Sequence, residues 1–267
     1  MNTTIIDLSL WDLVTVYSLL LMSIGLARML KAGQSRDIFW SGLRMFLQLM
    51  VVGYVLHLAF ALESAFAVLL ILLVMSGFAV QTIGARVEKK MPNFYRVVGS
   101  AILLGCGGMT FFFCTLVIGL EPWYDPRYLI PLAGMVIGNS MTGASLATER
   151  LAAEFHERRE EIETALSLGS SVKVAAEPAV SSAFRAALIP SINAMAAMGL
   201  VFLPGMMTGQ ILSGTEPLIA VKYQIAIMCV ITGSVALTAF IILGVGYRSY
   251  LTFYQSLREQ LSAGRFD

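Results

Sequence analysis

Residues 62–90 read LESAFAVLLILLVMSGFAVQTIGARVEKK. From Leu62 to Gly84 the sole charged residue is Glu63; then Arg86, Glu88, Lys89 and Lys90 arrive within five positions. About 20 apolar residues cross the ~30 Å of bilayer hydrocarbon as a helix. Backbone amides in lipid must be satisfied within the segment, so a helix is the default spanning form. The basic residues at the end mark its side, because loops rich in Lys and Arg stay in the cytoplasm.

The same pattern recurs outward in both directions. Apolar stretches run over 8–30, 38–60, 62–84, 98–120, 128–148, 184–207 and 219–246. One set of connections holds Arg28, Lys31, Arg36 and Arg44, then Arg86, Lys89, Lys90 and Arg96. It continues with Arg150, Arg158, Arg159, Lys173 and Arg185, then Arg248, Arg258 and Arg265. Of the 18 basic residues, Arg127 and Lys222 alone fall on the other side. The split predicts an all-α membrane protein with seven transmembrane helices, its N-terminus outside and its C-terminus cytoplasmic. The whole of 1–267 reads as one transmembrane domain in a plasma (inner) membrane, and the N-terminal stretch, lacking a basic residue, reads as a retained helix.

Composition excludes other classes. The chain is 57% hydrophobic and 13% charged, with a mean hydropathy of +0.78. Soluble domains carry about 25% charged residues. Net charge is +1, and no basic cluster with interleaved aromatics suggests nucleic acid. Cys106, Cys114 and Cys229 all lie in apolar stretches and read as packed thiols rather than disulfides. No Gly-x-x-x-x-Gly-Lys-Ser/Thr phosphate loop occurs. His57 and His156 are the two histidines, which rules out a His-Glu-x-x-His zinc protease.

Most connections are short turns. Segment 149–183 is the exception: Glu149 to Glu163 is densely charged and rich in helix formers, with Glu154 and Arg158 four apart as a supportive pair. The fifth span therefore extends as a helix beyond the membrane. Gly169 stops it, since glycine takes the left-handed conformation at little cost. Val172 to Ala187 resumes as an amphipathic segment interrupted by Pro178. Structureless loops this long are uncommon, and the segment reads as a docking element.

Within it, Glu163-Thr164-Ala165-Leu166-Ser167-Leu168-Gly169 resembles the Glu-x-Ala-x-x-x-Gly core of the coupling helix of ABC-transporter permeases. That resemblance implies that Glu163, Ala165, Leu166, Leu168 and Gly169 contact an ATPase, with Leu166 and Leu168 as apolar knobs. Ile189-Pro190 follows about ten residues later than in importer permeases, a departure from the importer pattern. Three further segments, 130–141, 187–195 and 199–212, and the run Ala220-Val221-Lys222-Tyr223-Gln224-Ile225 resemble the FetB-type permease family. The family resemblance spans nearly the whole chain. It implies an exporter permease with a separate ABC ATPase that holds ATP and Mg. Bacterial members are associated with iron export, plant relatives with aluminium tolerance and sugar-nucleotide transport. One coupling segment per chain, against two ATPase domains per ABC transporter, implies a homodimer with two ATPase copies. No cofactor is expected on this chain, and no enzymatic activity.

Candidate pathway residues are Asn139, Ser140, Thr142, Asn193, Met195, Met207 and Gln210. Polar groups at membrane depth face the bundle or a cavity; for the hydroxyls, plain interhelical bonding is the alternative. Gly134-x-x-x-Gly138 offers a close helix approach. Met135, Met141, Met195, Met198, Met206 and Met207 are soft thioethers suited to Cu(I) and equally apt as packing residues. His57, Glu63, Glu121, Asp125 and Glu216 are hard donors near the outer ends, in no close-spaced set. Two other classes find less support in the residues. A membrane-embedded enzyme has only Gly143-Ala144-Ser145 and His57 in its favour. A proton-coupled carrier wants acids deep in its helices, and here they lie near ends and loops.

Overall fold

The computed structural model describes residues 9–31, 33, 35–62, 64–87, 90–91 and 93–250. The sequence-level assignments on Glu63, Lys89, Arg258, Arg265 and both chain ends lie outside these residues. Described residues up to Leu62, with Leu212–Thr215, form one compact unit; the remainder form a second.

The first unit holds α1 (Leu10–Met29) and α2 (Ser35–Leu62). Ser9 and Asp12 form a reciprocal capping box at the start of α1, satisfying two backbone donors that the helix itself leaves open. Tyr17 donates to the Gly42 carbonyl at 3.3 Å and meets Phe46 edge-on, pinning the hairpin.

The second unit comprises α3 (Ala65–Arg86), α4 (Phe94–Val117), α5 (Pro126–Glu157), α6 (Arg159–Ser167), α7 (Val172–Ala197), α8 (Gly205–Leu212) and α9 (Pro217–Ser249). Among the described residues no strand occurs. Helix α5 is the centre: 17 of its 32 residues are buried, against α3, α7 and α9. Asp125 caps it, accepting from the Arg127 N–H at 2.9 Å. α4 widens into π-helical turns at Leu103–Gly107 and Phe113–Val117. In the first, Gly105 lies so close to α9 that a Cβ would come within 2.3 Å of Thr238 Oγ1.

Helix direction follows from the pairings. Ser140 meets Ser234 and Leu151 lies at Gly246, so α5 and α9 run parallel. Gly143 meets the Ala187 carbonyl and Glu154 meets Ser182, so α7 runs antiparallel to both.

Six described helices are long and apolar enough to cross a membrane: α1 to α5 and α9. The sixth expected stretch, 184–207, is not one helix. α7 ends at Ala197, Met198 turns extended, Gly199 takes φ +83°, and a short α8 starts at Gly205 after Pro204. The expected break at Pro178 is absent: α7 runs through both Pro178 and Pro190. Both prolines are exposed, and each leaves one carbonyl of the preceding turn without its helical donor. The fifth helix breaks sooner than expected, at Arg158, and resumes as α6.

Candidate functional site

α6 is a nine-residue helix with two unlike faces. Ile162 is buried, at 3% exposure, in a cluster with Phe155, Ala176, Ala179 and Tyr250, and Leu166, four residues on, packs against the same cluster. Tyr250 stacks on Phe155 at 4.6 Å between centroids; burial pushes its phenol up to about 12. The other face presents Glu161, Thr164 and Leu168, the last 83% exposed, with Ala165 half-buried beside them. Of the two leucines expected as knobs, only Leu168 projects. Leu166 is one turn above Ile162 and shares its buried stripe. Glu163 pairs with Arg159 at 2.8 Å.

The helix ends in a Schellman turn. Ser170 N–H donates to the Ala165 carbonyl and Gly169 N–H to Leu166, each at 3.0 Å, with Gly169 at φ +88°. Glycine is needed there for its backbone, and its Cβ position is open.

Behind α6 stands a buried carboxylate that sequence reading left as half of one helix pair. Glu154 is 1% exposed. It pairs with Arg150 and Arg158, each at 2.6 Å, and accepts from Ser182 Oγ of α7 at 2.5 Å. The carboxylate is buried while both guanidinium groups remain partly exposed, so the arginines compensate its charge from the solvent side. The signal was legible as Arg150-x-x-x-Glu154-x-x-x-Arg158; the link to Ser182 was not.

The candidate pathway residues divide. Ser140 is fully buried and its hydroxyl bonds Ser234 at 2.9 Å, joining α5 to α9. Asn139 is exposed, its amide donating to the Met135 carbonyl. Thr142, on the same face, donates to Gly138. Asn193 is exposed on α7, and Met195 beside it accepts from Thr232 of α9 at 3.7 Å. Met207 and Gln210 lie one turn apart on α8, and Gln210 Oε1 is buried without a partner. The tight crossing falls at Gly143, where a Cβ would meet Val235 at 2.6 Å. Gly134 touches only the end of Met75, and Gly138 has open space. Cys106, Cys114 and Cys229 are free thiols, the first two buried. Asp125 is occupied as a cap. Among the described residues no three His, Cys, Asp or Glu side chains gather as metal ligands.

Residues 10–251 match the family described as "Uncharacterised protein family (UPF0014)". A UPF0014 membrane protein of Synechocystis is 38% identical over 96% of this chain and 99% of its own length. UPF0014 membrane protein YjkA of Bacillus subtilis is 36% identical, covering 90% of this chain and 94% of its own. The Escherichia coli protein named "Probable iron export permease protein FetB" is 32% identical over 86% of each. No solved structure matches the chain. With a family match across nearly its full length and several apolar helices of spanning length, this chain belongs to the UPF0014 family and is a multi-pass membrane protein.

Proposed function

We propose that this chain is the membrane subunit of an ABC exporter in the plasma (inner) membrane, moving iron or another metal ion outward under the power of a separate ATPase. The observation that carries the reading is the tip of α6. A nearly fully exposed leucine, Leu168, projects there beside half-buried Ala165 on a glycine-terminated turn, while the opposite face is locked into the core. An exposed apolar knob on a rigid, charged end suits a partner's groove. The iron assignment draws support from the relative named "Probable iron export permease protein FetB".

Seven crossings fit this reading. α5 and α9 run parallel, so the chain between them has to return across the membrane. α7, at 26 residues, is about 39 Å long. Its charges, Lys173, Glu177 and Arg185, lie within its first 14 residues, toward the basic side, and the apolar path continues past Ala197 through 198–204 into α8. The N-terminus then lies outside, and α6 and the C-terminus lie in the cytoplasm. Two copies of the chain bind two ATPases, which carry the ATP and Mg, and the pathway runs between the copies. Asn139, Thr142 and Asn193 are polar at membrane depth and exposed or half-exposed in the single chain, as pathway or interface residues would be.

The test is co-expression with ABC ATPases of the same genome, followed by ATP-driven uptake of radiolabelled ferrous iron into inverted vesicles. Co-purification of one ATPase and ATP-dependent iron uptake are expected. A chain that binds no ATPase overturns the reading. A complex that hydrolyses ATP but responds to a sugar nucleotide and not to iron overturns the metal alone. That second reading draws on the amides of Asn139 and Asn193, which can both donate to and accept from a polar organic molecule.

A further inference from the structure

We propose that Ser182, held between Glu154 and Arg150, is the positioning residue through which a displacement of α6 is passed to the membrane helix α7. The inference rests on the docking role of α6 proposed above and names how that site is connected.

The connection can be followed atom by atom. Arg158 is the joint between α5 and α6, with φ −101° and ψ 21°. Its guanidinium donates backward to Glu154 at 2.6 Å and forward to Glu161 of α6 at 3.3 Å, so it spans the joint. Glu154 uses its other oxygen, Oε1, to pair with Arg150 and to accept from Ser182 on α7. Arg150 Nε in turn donates to Ser182 Oγ at 3.2 Å. One buried carboxylate therefore ties three elements together, and Ser182 is its attachment to α7.

The packing around this attachment makes it decisive. The face of α7 that is fully buried on the core is Ala176, Ala179, Ala183 and Ala187, all at or below 1% exposure, with Val172, Val180 and Phe184 partly buried beside it. Methyl groups let backbones approach closely but interlock little. A ridge of alanines resists sliding along its axis less than Leu or Phe knobs do. The polar pin then sets the register between α5 and α7. Ile162 carries α6 into the same cluster, so motion at the Leu168 tip reaches both the apolar cluster and the pin.

The experiment uses the full chain in complex with its ATPase, with Cys106, Cys114 and Cys229 replaced by Ala and a reporter cysteine at exposed Ile189 of α7. Maleimide labelling rates are compared without nucleotide and after trapping with ATP and vanadate. The parent complex is expected to show a severalfold change on trapping. Ser182→Ala is expected to bind the ATPase and hydrolyse ATP while losing that change, and Ser182→Thr, which keeps the hydroxyl, restores it. A merely structural role would not separate hydrolysis from the response at Ile189. An unaltered response in Ser182→Ala, no response in the parent, or failure of Ser182→Thr to restore it overturns the proposal. Should Ser182→Ala not fold, Glu154→Asp is read the same way, since it keeps the charge but falls a methylene short of Ser182. If no ATPase binds the parent, the docking reading itself fails. If one binds and Ser182→Ala still responds, only the joint is wrong.

Discussion

At the scale of single residues, glycines mark where helices touch. Gly143 sits where a Cβ would press on Val235 and the Ala187 carbonyl, whereas Gly138 on the same helix has open space. Overpacking a filled crossing costs about 1–3 kcal/mol. Gly143→Leu should therefore lower the thermal unfolding midpoint in detergent. Gly138→Leu should stay within about 0.5 kcal/mol of the parent, as exposed substitutions do, and instead weaken association of two copies, read by the mass of the purified particle. Equal loss of midpoint in both variants would contradict this placement. Ser140 makes the complementary case. Its bond to Ser234 is of a kind worth about 0.6 kcal/mol between membrane helices. Ser140→Ala is therefore expected to leave transport intact; abolished transport in a stable Ser140→Ala protein would return Ser140 to the pathway.

At the scale of elements, α6 carries the proposed docking contact. α6 is short, and short helices are marginal alone; it is held by Ile162 and Leu166 in the core and by its Schellman end. Its outer face is free to serve a partner. Leu168→Ser should change stability by no more than about 0.5 kcal/mol yet reduce ATPase co-purification. Ala165→Trp and Gly169→Trp should reach the membrane and block assembly or transport, the latter also straining a backbone at φ +88°. Unchanged binding and transport in all three variants would exclude α6 as the contact. α7 shows how an element can mislead at this scale. Pro178 reads as an interruption, but the helix runs through it, as it does through Pro190, with both rings on an exposed face clear of the core.

The whole molecule is testable as topology. Parallel α5 and α9 with α7 running back between them predict that Glu121→Cys and Glu216→Cys are labelled from outside the cell and Leu168→Cys only from inside. Labelling of Glu216→Cys and Leu168→Cys from one side would reduce the crossings to six. Cysteines at Asn2 and Ala263, beyond the described residues, should report opposite sides. In detergent the particle should contain two copies of the chain and two ATPases. A stable transporting complex with one copy would sink the proposed pathway between protomers.

Much of this protein is legible in one dimension because the membrane imposes a one-dimensional rule. Hydrophobic length sets which segments span, and the Lys and Arg of the connections set their side, without any contact having to be known. The Gly169 stop and the helical character of α6 are equally local, resting on a backbone angle and a run of helix formers. What tertiary structure decided was partnership. Ser140 bonds across to Ser234, the tight crossing falls at Gly143, Leu166 turns inward while Leu168 does not, and Glu154 reaches Ser182 on another helix. Helical period says which residues share a face, but not which neighbour that face meets. Only the packed bundle fixes that, because close approach of two backbones depends on side chains far apart in the chain.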